Sequence, residues 1–184
     1  EAMWITPPGA TAVLVDAGGR ALPVLDDEFS GPDQLAKEYD AVRPPFAETG
    51  TPRLPAGLNI GAQLFFQQKR FPAEFAKAAA ILMYPQYFSW RLTGTAVNEA
   101  TSLGCHSALW RPAGGRPSSL AGRPRWEPDL PQVARAEGGV RAPTRGVGQG
   151  TGGHPGARRA ADRADQGLRL HPRVQRARHH QPGP

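Results

Sequence analysis

The chain has 184 residues and a net charge of +6, enough for one domain, but the charge is unevenly placed. Residues 1–110 carry 8 Lys plus Arg against 11 acids, whereas residues 111–184 carry 14 Arg, no Lys and 5 acids, so the basic character belongs to the second part alone. A single cysteine, Cys105, excludes an intrachain disulfide and a disulfide-stapled secreted scaffold. No apolar run nears the ~20 residues that span a bilayer, so no membrane is expected. The N-terminal residues lack a basic stretch followed by an apolar one, so no signal peptide is expected and the cytoplasm is the expected compartment.

In chain order, Ala12–Val15 and Arg20–Leu25 predict two strands around the Asp16-Ala17-Gly18-Gly19 turn, where the Gly pair can take positive φ. Pro23 puts the second strand at an edge. Asp33–Val42 predicts a short helix that Pro32 starts and that turns Leu35, Tyr39 and Val42 to one face. Arg43–Pro55 is proline-rich and predicts an extended loop. Asn59–Arg70 is the clearest helix, with Ile60, Leu64 and Phe65 as an apolar stripe and Gln67–Arg70 as a polar end. Pro72 predicts another helix start, running through Phe75, Ala79 and Leu82. Tyr84–Leu92 is aromatic-rich and stops at Gly94, a good helix C-terminal residue. Val97–Leu109 reads as mixed, with a strand or turn around Gly104-Cys105.

After Trp110 the periodicity dissolves. Residues 111–184 lack Ile, Phe, Tyr, Met, Asn, Lys and Cys altogether. So little large apolar surface cannot offset chain entropy, and a disordered tail over 111–184 is expected. The domain would then be residues 1–110.

Five pieces in order are similar to the FGGY carbohydrate-kinase family, in its rhamnulokinase and fuculokinase branch. They are Leu58–Leu64 (LNIGAQL), Arg70-Phe71-Pro72, Ile81–Tyr87 (ILMYPQY), Arg91–Gly94 (RLTG) and Glu99–Ser102 (EATS). Gly9–Asp16 (GATAVLVD) further resembles the strand after that family's sugar-contacting turn. The resemblance implies an α/β fold, part of a ribonuclease H-like, actin-like ATPase domain, and a parent that moves a phosphoryl group from ATP to a sugar hydroxyl with Mg²⁺.

Phosphoryl transfer needs a backbone cradle for phosphates, a carboxylate to take the hydroxyl proton, and acids to hold the metal. The family's Asp-x-Gly-Thr turn belongs upstream of this sequence. Its Gly-x-His-Asp-Ser-x-Ala segment is spelled nowhere in 111–184. The chain is therefore expected to be inactive, binding neither ATP nor Mg²⁺ well. The tail's composition is what a G/C-rich gene gives when translated out of frame. His171–Ala177 back-translates so that a one-base shift gives Ile-His-Glu-Ser-Asn-Ala, close to the missing segment but with Glu where the family has Asp.

The resemblance makes Asn59, Gln63, Gly9 and Thr11 candidate sugar contacts. Asn59 and Gln63 lie one helical turn apart and can share a face. A solvated helix face is the competing reading for that pair, and ordinary turn geometry for Gly9 and Thr11. Pro7 and Pro8 stand where such kinases often carry a polar residue, His or Trp. Cys105-His106 makes a poor metal pair, since zinc takes about four ligands, and a buried core cysteine is expected. Tyr84, Tyr87, Phe88 and Trp90 are expected in the core rather than on a sugar ring. A different class remains open: a non-catalytic module whose basic tail binds nucleic acid non-specifically. Specific nucleic-acid binding is not expected, because Trp126 is the tail's lone aromatic residue and offers no stacking platform.

Overall fold

The computed structural model describes residues 7, 9–122, 126 and 130–134. Strand β1, Ala12–Asp16, opens the described fold. After a 3-10 turn at Gly31–Leu35 come the short helices α1 (Ala36–Asp40) and α2 (Phe46–Thr49). Helix α3 (Ile60–Arg70) leads through the single turn α4 (Pro72–Phe75) to strand β2 (Ala78–Met83) and helix α5 (Tyr84–Thr93). Then follow β3 (Asn98–Glu99), α6 (Ala100–His106), β4 (Trp110–Arg111), β5 (Arg116–Pro117) and β6 (Val133–Ala134).

The β1–β2 pair is the centre. The strands run antiparallel, from Ala12 opposite Met83 to Asp16 opposite Ala78, with an irregularity between Val15 and Asp16. Successive side chains alternate between faces. Ala12, Leu14, Ile81 and Met83 join the larger core with α3, while Val13, Val15 and Leu82 pack with Tyr87 of α5. The sheet is covered on both faces. No helix among the described residues is long and apolar enough to cross a membrane.

Several expectations need correction. Arg20–Leu25 does not form a full strand: Ala21 makes one isolated bridge to Val15, and Leu22 N–H donates to Leu14 O at 2.8 Å. The helix begun at Pro72 ends after one turn. Alanine favours helix, but Ile81, Leu82 and Met83 are fully buried between two layers, which a strand beside β1 achieves. The 43–55 loop contains α2, closed by Gly50 at φ 67°. The mixed region is mostly helix α6. Gln67, assigned to the polar end of α3, is buried, and its amide reaches Pro23 O at 3.4 Å.

Structure also continues past Trp110. β4 and β5 form a small antiparallel pair, and β6 runs parallel to β3, with Asn98 opposite Val133. Leu120, Ala121 and Trp126 belong to the main core. These residues need no core of their own, because they dock on one that already exists. The 111–184 tail therefore does not begin as a structureless segment at residue 111. Residues 135–184 lie outside the described residues.

Candidate functional site

Three chain segments converge at the N-terminal end of α3. Asn59 caps that helix: its Oδ1 accepts from Ala62 N–H at 3.1 Å and from the Tyr39 hydroxyl at 2.7 Å. An Asn at this position satisfies a backbone donor that the helix itself leaves free. One turn on, Gln63 Nε2 donates to Ala10 O at 2.6 Å and also to Gly57 O. It fastens the turn before β1 and the loop before α3 to one helix. Gly61 N–H donates to Ser107 O at 3.0 Å, which brings in the end of α6.

Both Asn59 and Gln63 are buried, at 0% and 1% exposure, so the solvated-face reading of the pair is overturned. Gly9 is exposed at the mouth of this junction. A methyl group built there would sit 3.8 Å from His106 Cδ2, so the 9–11 turn and the imidazole are neighbours. Thr11 is buried, and its carbonyl accepts from Tyr84 N–H at 3.0 Å, a structural bond that ends β1's pairing. The structure thus gathers Asn59, Gln63 and Gly9 with Ala10, His106 and Ser107. Sequence reasoning missed Tyr39 and gave His106 no role beyond the metal pair, because both reach the junction from distant parts of the chain.

Burial pushes the Tyr39 phenol pKa well up, against the opposing pull of the nearby Arg43 and Arg53 guanidinium groups. It is a neutral hydrogen-bond donor to Asn59 throughout the working pH range. Arg53 in turn bridges Asp40 at 3.1 Å and Asp33 at 3.5 Å on the partly exposed flank. Ion pairs of this exposure contribute little to stability.

Helix α6 is held at both ends. Thr51 Oγ1 donates to Gly104 O at 3.2 Å from the loop side. Glu99 caps the start, accepting from Thr101 N–H at 2.8 Å and Ser102 N–H at 3.0 Å. Partial burial pushes the Glu99 carboxyl pKa up, but the hydrogen bonds from Thr101 and Ser102 outweigh it and leave the group below its ordinary value of 4.5. A depressed native pKa adds stability that is present above the unfolded value and is lost as pH falls through the native one. Urea midpoints followed from neutral pH into acid will therefore show the wild-type chain losing its advantage over Glu99→Gln below about 4.5. A gap between the two proteins that stays constant with pH would contradict this.

The remaining candidates resolve plainly. Cys105 is exposed, not a core residue, because α6 turns it outward while Leu103 takes the buried position. Tyr84, Tyr87, Phe88 and Trp90 pack together beside β1, with ring centroids of 5.0 Å for Tyr84–Phe88 and 6.0 Å for Tyr87–Trp90. Tyr87 is core, as expected, whereas Tyr84, Phe88 and Trp90 are half-buried and pack against that cluster. A cavity of about 260 Å³ lies at the other end of α3, lined by Leu14, Leu22, Leu25, Phe71 and Phe75, away from the polar junction.

Nucleotide and metal fit these residues poorly. The Gly18-Gly19 turn could offer N–H groups to a phosphate, but Gly18 N–H and Arg20 N–H already donate to Asp16 Oδ1 at 2.9 and 2.8 Å. Among the described residues no three His, Cys, Asp or Glu side chains gather as a metal ion requires. No step through a metal–nucleotide complex follows from this arrangement.

This architecture, a short antiparallel sheet between α3 and α5 with a polar junction at one helix end, is part of an α/β actin-like ATPase fold. No protein-family model matches the chain, and no curated protein matches it. Among solved structures, a carbohydrate kinase from Novosphingobium aromaticivorans is 44% identical, with a TM-score of 0.64, over 70% of this chain and 28% of that one. A ligand-bound xylulose kinase from Lactobacillus acidophilus matches with a TM-score of 0.56 at 13% identity, over 68% of this chain and 26% of that one. A xylulose kinase from Rhodospirillum rubrum matches with a TM-score of 0.50 at 20% identity, over 67% and 26% of the two chains. The chain is a relative of the carbohydrate kinases, and it spans about a quarter of their length.

Proposed function

We propose that the chain carries the sugar-recognising part of an FGGY-type carbohydrate kinase and does not itself transfer phosphate. The observation that carries this reading is the 44% identity to a carbohydrate kinase over 70% of this chain. Asn59 keeps a buried Nδ2 with no partner among the described residues, while Gln63, whose Nε2 is taken by Ala10 O and Gly57 O, holds the turn beside it in place. Buried amides discriminate strongly among hydroxylated ligands, because a ligand lacking the right hydroxyl leaves them unpaired. Thr11 contributes through its backbone position in the same turn.

In the parent kinase ATP and Mg²⁺ would supply and activate the phosphoryl group, and the sugar hydroxyl would receive it. Neither the Asp-x-Gly-Thr cradle nor the Gly-x-His-Asp-Ser-x-Ala carboxylate is spelled in these 184 residues. Purified chain mixed with Mg·ATP and a panel of ketoses and sugar acids should release no sugar-dependent ADP. Sustained turnover from the 184 residues alone would refute the reading.

The reading also keeps a change of translational register in the coding sequence but moves it. The similarity covers 70% of the chain, more than residues 1–110 of 184 can supply, and Leu120 and Trp126 pack in the core. The break then falls beyond codon 126, the position of Trp126, rather than near codons 110–120. The nucleotide sequence checks it directly: an uninterrupted kinase frame through the last codon would remove the proposal.

A further inference from the structure

We propose that the cavity at the C-terminal end of α3 binds a small aromatic carboxylate of two fused rings. It lies away from the polar junction, so this inference does not rest on the sugar-recognising reading. Leu14 of β1 and its neighbour Leu22 form one wall, whose backbones are joined by the Leu22 N–H to Leu14 O bond. Leu25 continues that wall, and Phe71 and Phe75, which bound the single turn α4, stand across from it. The space between them is about 260 Å³. A cavity of about 150 Å³ lined by Leu, Ile and Phe stays dry and takes up benzene, so this one has room for two rings.

The wall calls for an apolar body. Among the described residues that line it, Gln67 is the sole uncharged polar side chain, and its Nε2 donates to Pro23 O at 3.4 Å. A polyol entering here would give up its water and find too few partners to replace it. A ring system gives up no such bonds. Phe71 is 37% exposed, yet its ring is held: Phe66 meets it edge-on, with centroids 6.1 Å apart and planes at 70°. An aromatic ring kept half open beside a cavity is a ready partner for another ring.

The mouth selects the charge. Arg20, Glu74 and Lys77 also line the cavity, and all three are exposed. Two cations against one acid leave a surplus of one positive charge there. Among the described residues neither Lys77 nor Glu74 enters an ion pair. Arg20 meets Asp16 at 3.6 Å, longer than a hydrogen bond, and its side chain is 65% exposed. Asp16 meanwhile spends Oδ1 on the Gly18 and Arg20 N–H groups. Both cations can therefore turn to an incoming anion. A single carboxylate matches the surplus and stays partly in water while its rings are buried.

The experiment titrates the full 184-residue chain, ¹³C-labelled at the leucine methyls, with 2-naphthoate and with its neutral amide, 2-naphthamide. Ring currents should shift the Leu22 and Leu25 methyls to saturation, while Leu103 and Leu109, buried elsewhere in the core, stay in place. Naphthoate should bind about fivefold tighter than the amide, as two exposed ion pairs provide. Lys77→Gln should cut that preference to about twofold, and adding Arg20→Gln should remove it. Both residues are exposed, so neither change threatens the fold. Unmoved Leu22 and Leu25 methyls, equal affinity for acid and amide in wild type, or shifts spread over all the leucines would each overturn the proposal. Sedimentation showing a dimer that naphthoate dissociates would also overturn it, because the pocket's occupant would then be a second copy of the chain.

Discussion

Gly61→Ala is expected to lower the chain's stability by about 3 kcal/mol, the sum of overpacking and one broken hydrogen bond. A Cβ at this position would come 2.5 Å from Tyr39 Oη, 2.6 Å from Ser107 O and 2.9 Å from Leu120 Cδ2. None of the first two can withdraw freely. Ser107 O accepts from the Gly61 amide itself, and the Tyr39 hydroxyl is held by Asn59. Relief must break one of the bonds that assemble the polar junction, so any sugar affinity should fall with stability. Gly94→Ala is the control. Gly94 has φ 74° with nothing within 4 Å of a built Cβ, so only left-handed strain of roughly 1–2 kcal/mol is expected there. Urea unfolding of the two variants beside wild type checks the difference, and equal losses would show that crowding at Gly61 is relieved without breaking the junction.

Trp126→Ala is expected to remove about 3–5 kcal/mol, the usual range for deleting a large buried aromatic. Trp126 is fully buried, and its indole N–H donates to Gln68 Oε1 of α3 at 3.2 Å. The substitution lies sixteen residues past Trp110, in sequence that composition alone assigns to a structureless tail. A thermal or urea transition shifted strongly downward puts this segment inside the cooperative unit. A loss under about 1 kcal/mol, the size of an ordinary surface change, would return it to the tail.

The parts of the fold that sequence reveals are those decided locally. β1 is legible because Ala12–Val15 is a short apolar run beside a Gly-containing turn. Helix α3 is legible because Ile60, Leu64 and Phe65 recur at helical spacing as one apolar stripe. β2 is not, because Ala78–Ala80 favour helix on their own and take up the strand only through pairing with β1, more than sixty residues earlier. Helix α6 escapes notice for a related reason. Thr101, Ser102 and Gly104 are weak helix formers, and the Glu99 cap that offsets them is visible only with the geometry in hand.

The site divides along the same line. Asn59 and Gln63 are marked as a pair by their spacing, but their burial and their bonds to Tyr39, Ala10 and Gly57 are tertiary facts. Nothing near His106 in sequence announces that its ring meets Gly9, nearly a hundred residues away. The boundary at Trp110 was blurred by averaging. A segment that docks on a finished core needs only a few apolar anchors, and Leu120, Ala121 and Trp126 are too sparse to register in a composition window.

The claim on which the account turns is that this polypeptide recognises a sugar without holding the phosphate donor. Calorimetry on the purified chain, with Mg·ATP and a panel of ketoses and sugar acids titrated separately, reads both halves. A saturating heat with the sugar and none with Mg·ATP is the predicted outcome. Saturable nucleotide binding, with or without sugar, would contradict it.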